Sequence, residues 1–239
     1  MWKVICTLKK PSMINYAKVL LVEHLWTEER LVVKVFPDHY RHHFRRELFA
    51  NRYLHSAADR NNFALVHLED DDDDGYYDEI INEFGPSTLI FEYAPRDDLL
   101  HLVEQRKRHR EAAGSRMTVQ EISATQVYLC TELAKCLTKL HDWCEVAHLD
   151  LKLENFIVTT SLRLALIDFG SAERLSKHGL TRSHCMGTAE YRSPEQSLSS
   201  PDYFNGFNAD IFSLGVMMLA IITQRLPIRK VTGTTEDDI

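Results

Sequence analysis

Within the stretch His148-Leu149-Asp150-Leu151-Lys152-Leu153-Glu154-Asn155 the chain sets a carboxylate, an ammonium and a carboxamide close together, just ahead of the apolar run Phe156-Ile157-Val158. Asp150 can accept a proton from an attacking hydroxyl, and Lys152 can neutralise charge that builds on a transferred phosphoryl group. Asn155 offers a neutral oxygen to a hard cation such as Mg²⁺. Thirteen residues beyond Asn155, Asp168-Phe169-Gly170 follows a second apolar run, Leu162 to Ile167, and a carboxylate there would hold the same metal. Acidic residues are common in turns, so either stretch alone also reads as a polar turn. In this order, and each beside an apolar strand pattern, the two read as parts of one site.

These stretches resemble two motifs of the eukaryotic protein kinases: the catalytic loop, with Leu149 where the family usually has arginine, and the DFG motif, with Asp168 as its metal-binding aspartate. The resemblance implies ATP and Mg²⁺ as cofactors, Asp150 and Lys152 as catalytic residues, and Asn155 with Asp168 as metal ligands. Further on, Gly187-Thr188-Ala189-Glu190-Tyr191-Arg192-Ser193-Pro194-Glu195 resembles the close of the kinase activation segment, with Ser193 in place of alanine. Lys152 together with Thr188 is the pairing of serine/threonine rather than tyrosine kinases. Asp210-Ile211-Phe212-Ser213-Leu214-Gly215 is similar to the start of the large helix of the second lobe, which makes Asp210 an anchor for the catalytic-loop backbone.

The elements that must position these groups begin with β-rich runs at Lys3 to Leu8, Ala17 to Glu23 and Arg30 to Phe36. Lys34 interrupts the third run. By periodicity it either points to solvent or reaches into a cleft, and the resemblance to the kinase strand lysine implies the second, with Glu47 on the next helix to hold it. Taken by itself, Glu47 also reads as an exposed helix acid. Between the first two runs, where the family closes a glycine-rich loop over the phosphates, Ser12, Ile14 and Ala17 stand at the glycine positions. A β-branched Ile14 neither admits phosphate closely nor takes glycine's dihedrals easily. Ala17 and Val19 would then border the nucleotide. The strand Ser87 to Tyr93 leads into a segment that resembles the kinase hinge, with Phe91 at the back of the pocket and Glu92 to Ala94 lining it. Asp98 is either a ribose ligand or an acid at a helix start. Thr118-Val119-Gln120-Glu121 reads as a capping box opening a long helix, one face of which, Leu129, Leu133, Leu137 and Leu140, belongs to a core.

A chain of 239 residues, 44% hydrophobic, is long enough to bury a core as a two-lobed unit. The expected class is α+β, kinase-like: a small β-rich lobe with one helix over residues 1–93, a mainly helical and incomplete lobe over 94–228, and a polar tail over 229–239. A formal charge of -7 argues against general nucleic-acid binding. The six acids from Glu69 to Asp74 should be a solvated loop, and Arg106-Lys107-Arg108-His109-Arg110 a charged helix end or a docking patch for a regulatory protein. Five cysteines without zinc spacing, and a start at Met1-Trp2-Lys3 with no apolar leader, suggest reduced thiols and a cytoplasmic setting. The apolar stretch Ile211 to Ile222 is too short for a bilayer and should be buried on nearly all sides. Glu195 should be a buried carboxylate in need of a partner. Leu149 has no charge, so phosphate at Thr181 or Ser183 should matter less for ordering Ser171 to Glu195 than in relatives with arginine.

Two function classes follow. One is an ATP-dependent kinase acting on serine or threonine of protein substrates, for which Lys34, Asp150, Asn155 and Asp168 speak. The other is a non-catalytic kinase-like binding module or an inactive fragment, for which the lost glycines speak.

Overall fold

The computed structural model describes residues 1–9, 16–57, 63, 76–95, 98–112, 123–159, 163–182, 186–197 and 203–225. Ser12, Ile14, the acids 69–74, the capping box expected at Thr118, Ser183, Cys185 and the tail 229–239 lie outside the described residues. The chain gathers into two compact units: Met1–Asp97 with Ile157–Ala172, and Asp98–Phe156 with Glu173–Ile239. Residues 157–172, although they follow the loop at 148–155, belong to the first unit.

In chain order the strands are β1 Trp2–Lys9, β2 Lys18–His24, β3 Arg30–Val35, β4 Thr88–Glu92, β5 Val146–Ala147, β6 Phe156–Val158, β7 Leu164–Leu166, β8 Glu173–Arg174, β9 Leu180–Thr181 and β10 Phe204–Asn205. The helices are α1 Arg41–Ala57, α2 Tyr76–Phe84, α3 Leu99–Ala112, α4 Ala124–Thr138, α5 Pro194–Ser197 and α6 Gly206–Thr223.

The first unit is built on an antiparallel sheet of order β1-β2-β3-β4. Side chains on a strand alternate between faces, and here each face has its own cover. Leu20, Val22, Leu31, Val33 and Ile90 face one way and close on Trp2 and on Ile80 of α2. Ala17, Phe36 and Leu89 face the other way, with Phe44 and Leu48 of α1 packed against them. Lys34 lies opposite Leu89 in the β3–β4 register and opposite Val19 in β2–β3, so it shares the face that α1 covers. That settles locally what periodicity left open. Phe63 bridges in parallel to Leu166 of β7 and meets the Phe169 ring edge-on.

The second unit is mainly helical. Ser123 and Gln126 cap α4 reciprocally, each side chain bonding the other's backbone N–H. Leu129, Leu133, Leu137 and Leu140 are all buried, as their spacing predicts. The helix then widens into a π turn, Lys139–Trp143, that delivers the chain to β5. Gln126 also donates through Nε2 to the carbonyls of Ile221 and Ile222, at 2.8 and 3.0 Å, tying α4 to the end of α6.

The apolar stretch expected over Ile211 to Ile222 differs from its expectation in two ways. The helix begins at Gly206, capped by Asn205, and by length and composition it is the one among the described residues that could cross a membrane. Among the described residues it is also packed on one side only. Ala209, Asp210, Ser213, Met217, Ala220 and Ile221 turn inward, while Ile211, Phe212 and Leu219 are exposed. Asp210 and Ser213 make hydrogen bonds within the unit, and those bonds choose the inward face.

Of the described cysteines, Cys6 is exposed while Cys136 and Cys144 are buried. Burial pushes the Cys136 thiol up to about 12. A thiol raised in the folded state contributes stability that is full below its ordinary value of 9.0 and is lost as pH rises through about 12. At pH 8 an alkylating reagent should therefore label Cys6 at least about 100-fold faster than Cys136, the latter reacting only through unfolding. Peptide mapping by mass spectrometry reads this directly, and equal rates would contradict the packing of α4.

Candidate active site

Three charged side chains meet inside the first unit. Lys34 Nζ donates to both oxygens of Glu47, at 2.9 and 2.7 Å, and to Asp168 Oδ1 at 2.8 Å. Glu47 comes from α1, where it is 1% exposed, so the open reading of an exposed helix acid is excluded. Burial works against the charge on Lys34, but Asp168 and Glu47 outweigh it and hold the ammonium above its ordinary range. Burial raises Glu47, and the charge of Asp168 adds to it while Lys34 opposes. Lys34 thus serves two carboxylates at once, and burial pushes Glu47 up to about 7 even with the ammonium beside it.

Local backbone makes the trio possible. Asp168 sits in the left-handed region at φ +65°, an unusual place for a residue with a side chain. A Cβ at position 170 would stand 3.3 Å from both Asp168 Oδ1 and Glu47 Oε2, so glycine there keeps the acids undisturbed. Arg46 donates to the Ser171 carbonyl at 2.9 Å and fastens the turn after Asp168 to α1.

The second unit holds another cluster. Asp150 Oδ1 accepts from both the backbone N–H and the hydroxyl of Thr188, each at 2.8 Å. Its Oδ2 accepts from Lys152 Nζ at 2.7 Å, and the same ammonium donates to Thr188 Oγ1 at 2.9 Å. Asn155 donates to the Asp150 carbonyl at 2.8 Å, which orients the amide. Its Oδ1 is buried and has no hydrogen-bond partner among the described residues. A buried carbonyl acceptor left open is costly unless something fills it, and a hard cation would. By the chemistry of its donor, the open carboxamide oxygen of Asn155 suits a hard cation such as Mg²⁺.

The loop backbone is anchored from α6. Asp210, 1% exposed, accepts the N–H of His148 at 2.7 Å, the N–H of Leu149 at 2.8 Å and His141 Nε2 at 2.9 Å. The His141 contact was not legible from spacing, since it arrives from the π turn 69 residues away.

The nucleotide-side positions are placed as follows. Ala17 is buried against Phe36 and Leu89, and Val19 is half-buried beside Lys34. Glu92 is exposed at the end of β4, and Ala94 is half-buried just beyond it. Asp98 caps α3, accepting the His101 N–H through Oδ1 at 2.9 Å. Glu195 is half-buried rather than buried, so the expected fully buried carboxylate is not found. Thr181 is buried and its hydroxyl donates to Glu173 at 2.7 Å, so a phosphate there would face a carboxylate.

Residues 15–239 match the family described as the protein kinase domain. The chain is 31% identical over 145 residues to the serine/threonine-protein kinase ppk25 of Schizosaccharomyces pombe, covering 60% of this chain and 30% of that protein. It is 26% identical over 219 residues to the serine/threonine-protein kinase PLK2 of Mus musculus, covering 89% of this chain and 28% of that protein. It is 30% identical over 159 residues to the putative proline-rich receptor-like protein kinase PERK6 of Arabidopsis thaliana, covering 65% and 21%. The chain spans less than a third of the length of these relatives.

Proposed function

The chain belongs to the protein kinase domain family, and from that premise we propose that it transfers the γ-phosphoryl group of ATP to serine or threonine hydroxyls of protein substrates. The observation that carries this reading is Asp150 with Lys152 on one carboxylate oxygen and Thr188 on the other. Asp150 is the proton acceptor for the incoming hydroxyl. Lys152, already within reach of Asp150, stabilises charge on the transferred group. Bound Mg²⁺ and ATP supply that group and the divalent charge that neutralises it. Asn155, through its open Oδ1, and Asp168 would hold the metal, and Lys34, braced by Glu47, would hold phosphate oxygens. Ala17, Val19, Glu92 and Ala94 border the adenine in this reading, and Asp98 keeps one oxygen for a ribose hydroxyl. Residues 1–93 then serve as the nucleotide-holding lobe and 94–228 as the lobe carrying the catalytic loop, in a cytoplasmic setting with protein substrates and a regulatory protein partner.

The test pairs binding with transfer. At Mg-ATP near 100 times its Kd, the wild type should gain roughly 5 °C or more in melting temperature, and Asp168→Asn should lose most of that gain. Label from the γ position of ATP should reach serine and threonine peptides. A wild type that neither shifts nor labels overturns the proposal, and label on tyrosine peptides alone overturns the hydroxyl preference.

A further inference from the structure

Gln196 follows the closing motif of the activation segment, where nothing in the sequence marks it out. It is 2% exposed, and its Nε2 donates to two backbone carbonyls: Leu149 at 3.0 Å and Met186 at 3.1 Å. Both carbonyls lie next to the site. Leu149 immediately precedes Asp150, and Met186 stands two residues before Thr188, the residue that meets the Asp150 carboxylate. One amide therefore holds the two strands of backbone from which Asp150 and Thr188 reach each other.

The surroundings show why that hold is needed. Leu149 is in the left-handed region at φ +63°, which a leucine adopts only under constraint. Its N–H is fixed by Asp210, and its side chain is buried with Ala147, Leu175, Phe204 and Ala209. Its carbonyl is turned toward Gly187, where any side chain would run into the carbonyl oxygen. The Gln196 amide is what receives that carbonyl. Met186 O accepts a second hydrogen bond from Arg192 Nε at 2.9 Å, so only the Leu149 carbonyl depends on Gln196 alone among the described residues.

We propose that Gln196 is a positioning residue: its carboxamide clamps the Leu149–Asp150 peptide to the end of the activation segment and so sets the Asp150 carboxylate against Thr188. The clamp uses neutral groups, so it works without phosphate on the segment and without an arginine at 149. The effect on transfer rests on the function proposed above, and the clamp itself is read independently of activity.

Gln196→Met keeps length and removes the donor. It should lower kcat about 10- to 100-fold, the scale of a misplaced catalytic group, while KM for Mg-ATP stays unchanged. Amide exchange should rise for peptides covering 145–155 and 186–192 and stay at the wild-type rate in α6. Gln196→Glu gives a second, pH-dependent reading. The ionised carboxylate repels both carbonyls, whereas the protonated acid regains one donor, so activity relative to wild type should climb several-fold as pH falls from 8 to 6. Unchanged kcat in folded Gln196→Met overturns the proposal. So does a uniform rise in exchange across the second unit, which would mark a merely structural residue. If the wild type transfers no phosphate, the failure lies with the proposed function, and local against uniform exchange alone decides the clamp.

Discussion

Asp150→Ala is expected to lower phosphoryl transfer by about 10²- to 10⁴-fold, the usual contribution of a positioned general base, while Mg-ATP binding stays nearly intact. The expectation follows from what Asp150 touches. Its carboxylate is engaged by Lys152 and Thr188, both in the second unit. Removing it takes away the proposed proton acceptor and releases Lys152, while the bonds among Lys34, Glu47 and Asp168 do not involve it. Asp168→Ala should behave differently, losing Mg-ATP affinity and transfer together, because it strips a carboxylate from the trio. Initial rates on a serine peptide and calorimetric titration with Mg-ATP separate the two. Equal rates for Asp150→Ala and wild type, in a preparation free of other kinases, would falsify the assignment.

Asp210→Ala should be the most destabilising substitution in the second unit. Asp210 is buried and accepts three hydrogen bonds, two of them from backbone N–H groups that water does not reach in its place. Orphaning buried donors around a lost carboxylate costs about 3–5 kcal/mol, and with Leu149 held left-handed the loop has little reason to keep its shape. For a chain of this length that is a drop of roughly 10 °C in melting temperature. Asp210→Asn retains one acceptor oxygen and should fall between. A shift of less than about 2 °C for Asp210→Ala would show that other contacts carry the loop.

The strands of the sheet were legible because their residues obey a simple period, whereas α1 entered through the family resemblance. Leu20, Val22, Leu31 and Val33 alternate as a two-residue repeat demands, and the structure buries them together. The clustering at 148–155 was legible because acid, ammonium and amide crowd into one short stretch, and the structure brings Asp150, Lys152 and Asn155 together. Lys34 was only half legible: alternation placed it on the face away from Val33, but only α1 arriving with Glu47 made that face a buried one. Gln196 left no trace in the sequence, since its partners are carbonyls, which every residue possesses. The one-sided packing of α6 was hidden for a related reason. Composition reports how apolar a helix is, whereas its inward face was chosen by Asp210 and Ser213 finding partners elsewhere in the unit. The burial of Thr181 was not legible, because it depends on the pairing of β9 with β10, two short strands with no pattern of their own.

The first unit is assembled from two pieces of chain, 1–97 and 157–172, with much of the second unit encoded between them. Translation runs at about 5–20 residues per second, so the carboxylate of Asp168 leaves the ribosome roughly 5–25 s after Lys34 and Glu47. In that interval the sheet and α1 can pair, and Lys34 can find Glu47, but the bond to Asp168 and the seat of Phe63 against Phe169 do not yet exist. The nascent chain must keep an unfinished β-rich unit soluble while the helices of the next one are being made. The last step in completing the older unit is thus taken by residues younger than Asp150, and a ribosome that stalls between them releases a sheet without its closing carboxylate.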